Sequence, residues 1–249
     1  MILLSVLLAA SLFAAAIYTN IITSSAEPTD SDEIEKVGFC FLGERFALDF
    51  PMCNVEGYTQ SGMDRERVDF FGIYRMITPE DPTIIQLCSK VDSLTAHMDR
   101  NTKAEYLRYF VWTEIDYATD AENHGKDDYW QFPLETLYSC KGDCEDKAFL
   151  LATIYTIEGY DVRMVFNDDH MACAVHLEGF DGKELTTMFG NGPYYLSDPS
   201  NGSDLGTNTM EGFIVGTDTL PWTIGTLSLF SVLSVVLVYT IISVIRLKD

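Results

Sequence analysis

Positive charge is scarce in this 249-residue chain: 16 Lys and Arg stand against 38 Asp and Glu, for a net charge of −22 and a pI near 4.3. Phosphate backbones need a basic surface, so no nucleic-acid partner is expected. Cysteine is sparse, at six residues, which excludes a disulfide-dense mini-protein. With 17 glycines and 8 prolines there is no collagen-like repeat, and no internal repeat or low-complexity tract is visible. Hydrophobic residues make up 47% of the chain, which excludes wholesale disorder.

Two stretches lack charge altogether, residues 1–26 and 219–245. Between them, residues 27–218 hold 37 acidic side chains (38 less Asp249) and 14 basic ones (16 less Arg246 and Lys248). An acidic region of 192 residues, enough for one core, thus lies between two apolar ends. The 27 uncharged residues from Thr219 to Ile245 are long enough for a transmembrane helix, with Trp222 at one interface and Arg246 and Lys248 on the cytoplasmic side. Residues 1–26 read as a signal peptide or an N-terminal membrane anchor, with Ser24-Ser25-Ala26 as the cleavage-type sequence. Both readings place 27–218 outside the cytoplasm, anchored in the cell membrane by the C-terminal helix, with 246–249 as a cytoplasmic tail. In that compartment Cys40 and Cys53, flanking two short strands and a turn, are a candidate disulfide, and Cys88 with Cys140 a weaker one. Asn201-Gly202-Ser203 matches the N-glycosylation acceptor.

Within the acidic region, residues 27–36 read as a polar spacer and 37–66 as an accessory segment. Asp81-Pro82 begins a helix, with Ile84, Ile85, Cys88, Val91 and Leu94 at helical spacing. A second helix follows Asn101 and carries Leu107, Phe110, Val111 and Ile115 on one side. Residues 118–129 read as a polar loop, and a helical turn follows Pro133. A third helix has Asp143 as N-cap, Cys144 at its first position and Gly159 as terminator; its largely apolar composition marks it as a core helix. Strands are expected at Val162–Phe166, His170–Leu177 and about Tyr194–Asp198. Alternation sets His170, Ala172, Ala174 and His176 on one face of the second strand, and Met171, Cys173, Val175 and Leu177 on the other. The two alanines suggest close approach of a helix on their side. An antiparallel pairing in which positions sum to 368 sets Asp198 opposite His170.

Cys144, His170 and Asp198 thus come together as a candidate catalytic triad. A free thiol has a pKa near ~8.5, and a helix N-terminus with an imidazolium partner lowers it to roughly 3.5–7.5. The imidazole then protonates the leaving group, and a carboxylate on its other nitrogen fixes the tautomer. The backbone N–H of Cys144 and the side-chain amide of Gln131 are the candidate oxyanion donors. His176 reads as a bystander and Cys173 as core. A zinc site from Cys140, Cys144, His170 and His176 is the alternative use of these residues, and a calcium loop at Asp198, Asn201, Ser203 and Asp204 lacks the bidentate Glu. No cofactor and no metal is expected.

Gly142-Asp143-Cys144-Glu145-Asp146, preceded by Tyr129-Trp130-Gln131-Phe132-Pro133-Leu134-Glu135-Thr136-Leu137, resembles the transglutaminase-like superfamily, in particular its prokaryotic transglutaminase-like cysteine peptidase branch. His170-Met171-Ala172-Cys173-Ala174-Val175 is similar to that family's histidine strand, with Met171 where the family often has an aromatic residue. Tyr194-Tyr195-Leu196-Ser197-Asp198-Pro199 is similar to its aspartate strand. The resemblance covers roughly residues 68–216, with 27–67 as spacer and accessory segment. It implies a papain-like α+β fold, a cysteine helix packed on an antiparallel sheet, and acyl chemistry on a polypeptide substrate through Cys144, His170 and Asp198. A binding module that keeps the fold without catalysis is the competing expectation.

Overall fold

The computed structural model describes residues 33–61, 65, 72–185, 192–207, 210 and 213–216. The expected signal or anchor at 1–26 and the membrane helix at 219–245 lie outside the described residues. Among the described residues no helix is long and apolar enough to cross a membrane.

Strands β1 (Ile34–Phe41) and β2 (Glu44–Pro51) form an antiparallel hairpin, and helix α1 (Met52–Thr59) follows directly. Leu42 and Gly43, both at positive φ, make the turn. The hairpin is not an accessory to the core. Its inward residues Phe39, Phe41, Leu48 and Phe50 are buried, and the Phe41 ring meets Phe110 edge-on at 5.4 Å. β1 also starts inside the stretch read as spacer.

After α2 (Gly72–Arg75), two helices pack against the hairpin, α3 (Pro82–Thr95) and α4 (Arg100–Glu114). Asp81 caps α3 as expected, accepting hydrogen bonds from the Thr83 and Ile84 amides with Pro82 at the first position. Ile84, Leu87, Cys88 and Val91 form the buried stripe, whereas Ile85, expected there, is exposed. The N-cap of α4 is Asp99, so that helix starts one residue before Asn101.

A short parallel pair joins β3 (Asp116–Tyr117) to β4 (Lys141–Gly142). The loop between them contains α5 (Asp120–Asn123), started by a capping box from Thr119 and Glu122, and α6 (Pro133–Ser139). Helix α7 (Cys144–Ile157) is the central element. Ten of its residues are buried, among them Phe149, Leu150, Leu151 and Tyr155, and each such side chain stabilises the fold by about 1.5–3 kcal/mol. Gly159, at φ +72°, ends it.

The sheet has five strands in the order β7-β8-β6-β5-β9, all antiparallel: β5 (Val162–Phe166), β6 (Met171–His176), β7 (Glu184–Leu185), β8 (Tyr194–Ser197) and β9 (Phe213–Gly216). The fold is therefore α+β, with a helix on an antiparallel sheet. Helix α7 covers the face of β6 that carries Met171, Cys173 and Val175, not the alanine face. Close approach comes instead from small residues on the helix: the Cys173 thiol donates to the Ala148 carbonyl at 3.1 Å. Ala172 and Ala174 face the opposite way, into a smaller cluster with Val165, Tyr194 and Leu196.

None of the six cysteines is in a disulfide. Cys40 lies beside the hairpin turn, paired with Arg45, and Cys53 follows the far end of β2, about 20 Å away at ~3.3 Å per strand residue, too far to bridge. Cys88 is close enough to Glu158, past the C-terminus of α7, to feel its charge, while Cys140 precedes that helix's N-terminus. A 14-residue helix, about 21 Å long, separates those two places.

Gly142 meets the helix start with no room to spare. A Cβ there would lie 2.7 Å from Asp146 Cβ and 3.2 Å from Thr136 Cγ2. Gly142→Ala is expected to lower stability by about 1–3 kcal/mol in urea unfolding; an unchanged midpoint would show that the β4–α7 junction can shift.

Candidate active site

The three sequence-predicted residues converge at one end of α7 and the adjoining strands. Cys144 is the first residue of the helix and is half-buried. The backbone N–H of Met171, which opens β6, faces its sulfur. His170 immediately precedes Met171. An Asx turn sets its backbone: Asn167 Oδ1 accepts from the amides of Asp169 at 3.0 Å and His170 at 2.9 Å. Its ring nitrogen Nε2 lies 2.8 Å from Asp198 Oδ2.

The strand register differs from the expected one by two residues. Cys173 pairs with Ser197 and Ala174 with Leu196, so positions sum to 370. A two-residue slip keeps every side chain on its face, and the imidazole reaches Asp198 diagonally just past the ladder's end.

Asp198 is the best-supported member of the set. Its Oδ1 accepts from the amide and hydroxyl of Ser200, and its Oδ2 from Asn201 Nδ2 at 2.6 Å as well as from His170. Burial alone would raise its pKa, but the His170 and Ser200 hydrogen bonds outweigh that and hold it below the usual carboxylate range. Reciprocally, the hydrogen bond to Asp198, together with its charge, lifts His170 against the opposing effect of burial. Asn201 is committed to this network through both ends of its amide. A glycan on Nδ2 would break it, so the acceptor reading of Asn201-Gly202-Ser203 does not fit the folded site.

Other residues hold this arrangement, and the sequence reading missed them. Arg108, 1% exposed on α4, sits under the 198–201 turn and contacts the carbonyls of Asp198 and Asn201 at 3.5 Å. Glu105 pairs with Arg108 and also accepts from the Leu205 amide at 2.7 Å. Lys147, one turn into α7, donates to the Ile115 carbonyl at 2.6 Å and so ties the cysteine helix to the end of α4. Burial pushes that lysine down to about 8. A lone Arg or Lys within an apolar helical pattern was the only available signal.

Gln131 is not placed as an oxyanion donor. It is buried, its backbone amide donates to Asp146 Oδ1 at 2.7 Å, and its side-chain Nε2 donates to Asp146 Oδ2 and to the Lys141 carbonyl. Both amide hydrogens are thus spent on fixing the helix start. Asp146 itself is pushed up to about 8, chiefly by burial and against the pull of Gln131.

The electrostatics at Cys144 also run against expectation. Burial first, then the Glu145 carboxylate, push the thiol well above its ordinary range. The S–H donates to Glu145 Oε2 at 2.9 Å. Asp143 is pushed up to about 9 by burial and by Asp146 and Glu145, so it adds negative charge beside the sulfur only above that pH. The helix dipole favours a thiolate, yet buried carboxylates at the same turn act on the sulfur at shorter range. In the resting site the sulfur keeps its proton.

Zinc ligation by Cys140, Cys144, His170 and His176 is not assembled. His176 packs on the Tyr194 ring at the other end of β6, and Cys140 Sγ lies against the Leu137 carbonyl. Among the described residues, the groups that could share a cation are instead mostly acidic: Asp143, Cys144 and Glu145; Asp120, Asp128 and Glu145; and Asp120, Asp143 and Asp146, with ligand atoms within 4.8 Å of one another in each set. Mostly oxygen donors of this kind suit a hard cation better than zinc.

Two outcomes follow. Asp198→Asn should lower the His170 titration midpoint, read by NMR, because the carboxylate that favours the imidazolium is gone; an unmoved midpoint would show that the pair is not coupled. Glu145→Gln should bring the Cys144 thiol down, speeding its alkylation at neutral pH by roughly tenfold per pKa unit recovered, with the modified peptide mapped by mass spectrometry. An equal or slower rate would show that Glu145 does not hold the proton.

Residues 89–179 match the family model described as the transglutaminase-like superfamily. That stretch includes Cys144 and His170 and stops short of Asp198. A search of curated proteins found no match. Among solved structures, Legionella pneumophila LapG, EGTA-treated, is similar at 14% identity and a TM-score of 0.34, over 62% of this chain and 94% of that one. A structure described as a TGase is similar at 12% identity and a TM-score of 0.36, over 72% of this chain and 46% of that one. Overlaps this weak add nothing to the assignment, which rests on the family match. With its cysteine-bearing helix packed on an antiparallel sheet, the stretch 89–179 is what matches the transglutaminase-like superfamily.

Proposed function

We propose that this protein is a cysteine enzyme that breaks or transfers an acyl group at an amide of a polypeptide, through a thioester on Cys144. The observation that carries the reading is the His170–Asp198 pair at 2.8 Å, with His170 one residue before Met171, whose backbone N–H faces the sulfur of Cys144. Nε2 of His170 is engaged by Asp198, which leaves Nδ1 to exchange a proton with the sulfur. A base whose pKa is lifted by its carboxylate takes the thiol proton more readily, and the resulting imidazolium protonates the departing amine. The acyl group then leaves to water in a hydrolase or to a second amine in a transferase.

The neutral thiol favours a second reading, a binding module that keeps the fold without turnover. Because Glu145 already explains slow alkylation at rest, the alkylation rate does not separate the two readings. A trapped acyl-enzyme does.

Further parts of the proposal rest on sequence alone. The catalytic unit extends over about residues 68–216, so that it includes Asp198 and β9. The apolar stretch at 219–245, followed by Arg246 and Lys248, anchors it in the cell membrane with the domain outside.

The test is incubation with a peptide library, with and without a primary amine, read by mass spectrometry. Cleavage, deamidation or amine incorporation, together with a mass adduct on Cys144, is expected for the parent, and Cys144→Ala should lose all of it. A variant as active as the parent, or a parent with no adduct and no product, would sink the enzymatic reading and leave the binding module.

A further inference from the structure

Of the six large apolar side chains left exposed among the described residues, three gather on one strip: Leu42 in the hairpin turn, and Tyr109 and Trp112 on α4. Tyr106, Tyr109 and Trp112 recur every three residues, so their rings follow one another along the helix. The Tyr109 ring meets Tyr106 at 6.4 Å and Trp112 at 5.5 Å, edge to face in both cases.

The strip has two ends. At one, Tyr106 and Tyr109 face the hairpin turn across a groove of about 600 Å³, within the ~300–1,000 Å³ usual for ligand sites. At the other, Trp112 lies over Gly202, where an added Cβ would come within 2.9 Å of the indole Cζ2. Gly202 follows Asn201, which donates to Asp198. The Trp112 carbonyl also lies 3.5 Å from Nζ of Lys147, three residues beyond Cys144 on α7. The strip thus leads from the turn that holds Asp198 to the groove.

The groove carries charge of one sign. Among the described residues its lining includes two carboxylates, Glu105 and Glu114, and no Lys or Arg. Arg108 balances Glu105. Glu114 accepts from the Cys40 amide at 2.9 Å, a neutral donor that leaves its negative charge in place. A carboxylate beside tyrosine rings repels an anion and attracts a cation, which the ring faces hold as well. A purely apolar side chain would leave Glu114 covered and unpaired. Guanidinium fits better than ammonium, because a planar cation stacks on an aromatic face and reaches both carboxylate oxygens.

We infer that this groove is a substrate subsite that takes an arginine side chain of the polypeptide, with lysine a weaker fit, several residues from the amide that reacts. The role rests on the acyl-transfer reading above and names the feature by which that enzyme selects its substrate. The substrate backbone passes over Trp112, and the seated arginine fixes which amide reaches Cys144. The groove touches no reacting atom, so it acts through binding and the choice of amide.

The test is incubation of the full chain with a decapeptide library randomised at every position, with products sequenced by mass spectrometry. Arginine is expected to be enriched roughly tenfold over alanine at one fixed offset from the reacted amide, lysine less so, and the enrichment to fall as salt rises. Glu114→Gln removes the charge and keeps an acceptor for the Cys40 amide. Thr113→Lys adds a cation at an exposed position of the lining. Each is expected to cut the arginine enrichment roughly threefold or more, with the unfolding midpoint measured alongside. Products with no basic residue enriched at a fixed position overturn the inference and leave acyl transfer standing. Enrichment that survives both variants overturns it as well, since the cation would then be held elsewhere, and so does an apolar residue selected in place of arginine. A parent that gives no product and no adduct on Cys144 overturns the acyl-transfer reading, and this subsite with it.

Discussion

The start of α7 is a place where three carboxyl groups and a thiol crowd a space that is half-buried at Asp143, Cys144 and Glu145 and buried at Asp146. Asp146 is the pin of this arrangement. Its carboxylate, 1% exposed, receives both donors of Gln131 and so fixes the strand-like stretch before α6 against the start of the cysteine helix. Burying a carboxylate is costly unless hydrogen bonds offset it, and here the offset comes from a glutamine amide, not a cation. The site thereby gains a rigid helix start without a positive charge near the sulfur. Gly142 completes the fit by lacking the side chain that would strike Asp146.

From this follows the character of the site. A helix N-terminus and an imidazole normally bias a cysteine toward thiolate, but Glu145 accepts the S–H directly and the surrounding carboxylates oppose ionisation. The His170–Asp198 pair has the opposite character, each partner favouring the charged form of the other. The two halves of the site are thus out of balance at rest. Loss of the sulfur proton is opposed by burial and Glu145 and favoured by the helix dipole and the Met171 backbone N–H.

Much of this was legible in the sequence because it is local. The cap at Asp81-Pro82, the start of α7 at Cys144, its end at Gly159 and the strands from Val162 onward are written in residues within four positions of one another. The order of Cys144, His170 and Asp198 and their elements were legible for the same reason. What could not be read depends on long-range pairing. The strand register was off by two residues, an error that alternation does not detect, since it preserves faces. The alanines of β6 misled because small residues on a strand do not say which sheet face the helix takes; Ala148 and Ala152 on the helix decided it. Gln131 was well placed as a donor by distance along the chain, but its hydrogens had been claimed by Asp146, fifteen residues on.

Strand β8 does two jobs at once: it delivers Asp198, and it occupies the β6 edge from Cys173 to His176. A piece of the chain ending at residue 179 would therefore lose more than the partner of an imidazole. It would leave the histidine strand with a bare row of amides and carbonyls, open to any passing backbone. Pairing His170 with Asp198 and sealing the sheet against self-association are, in this fold, the same event.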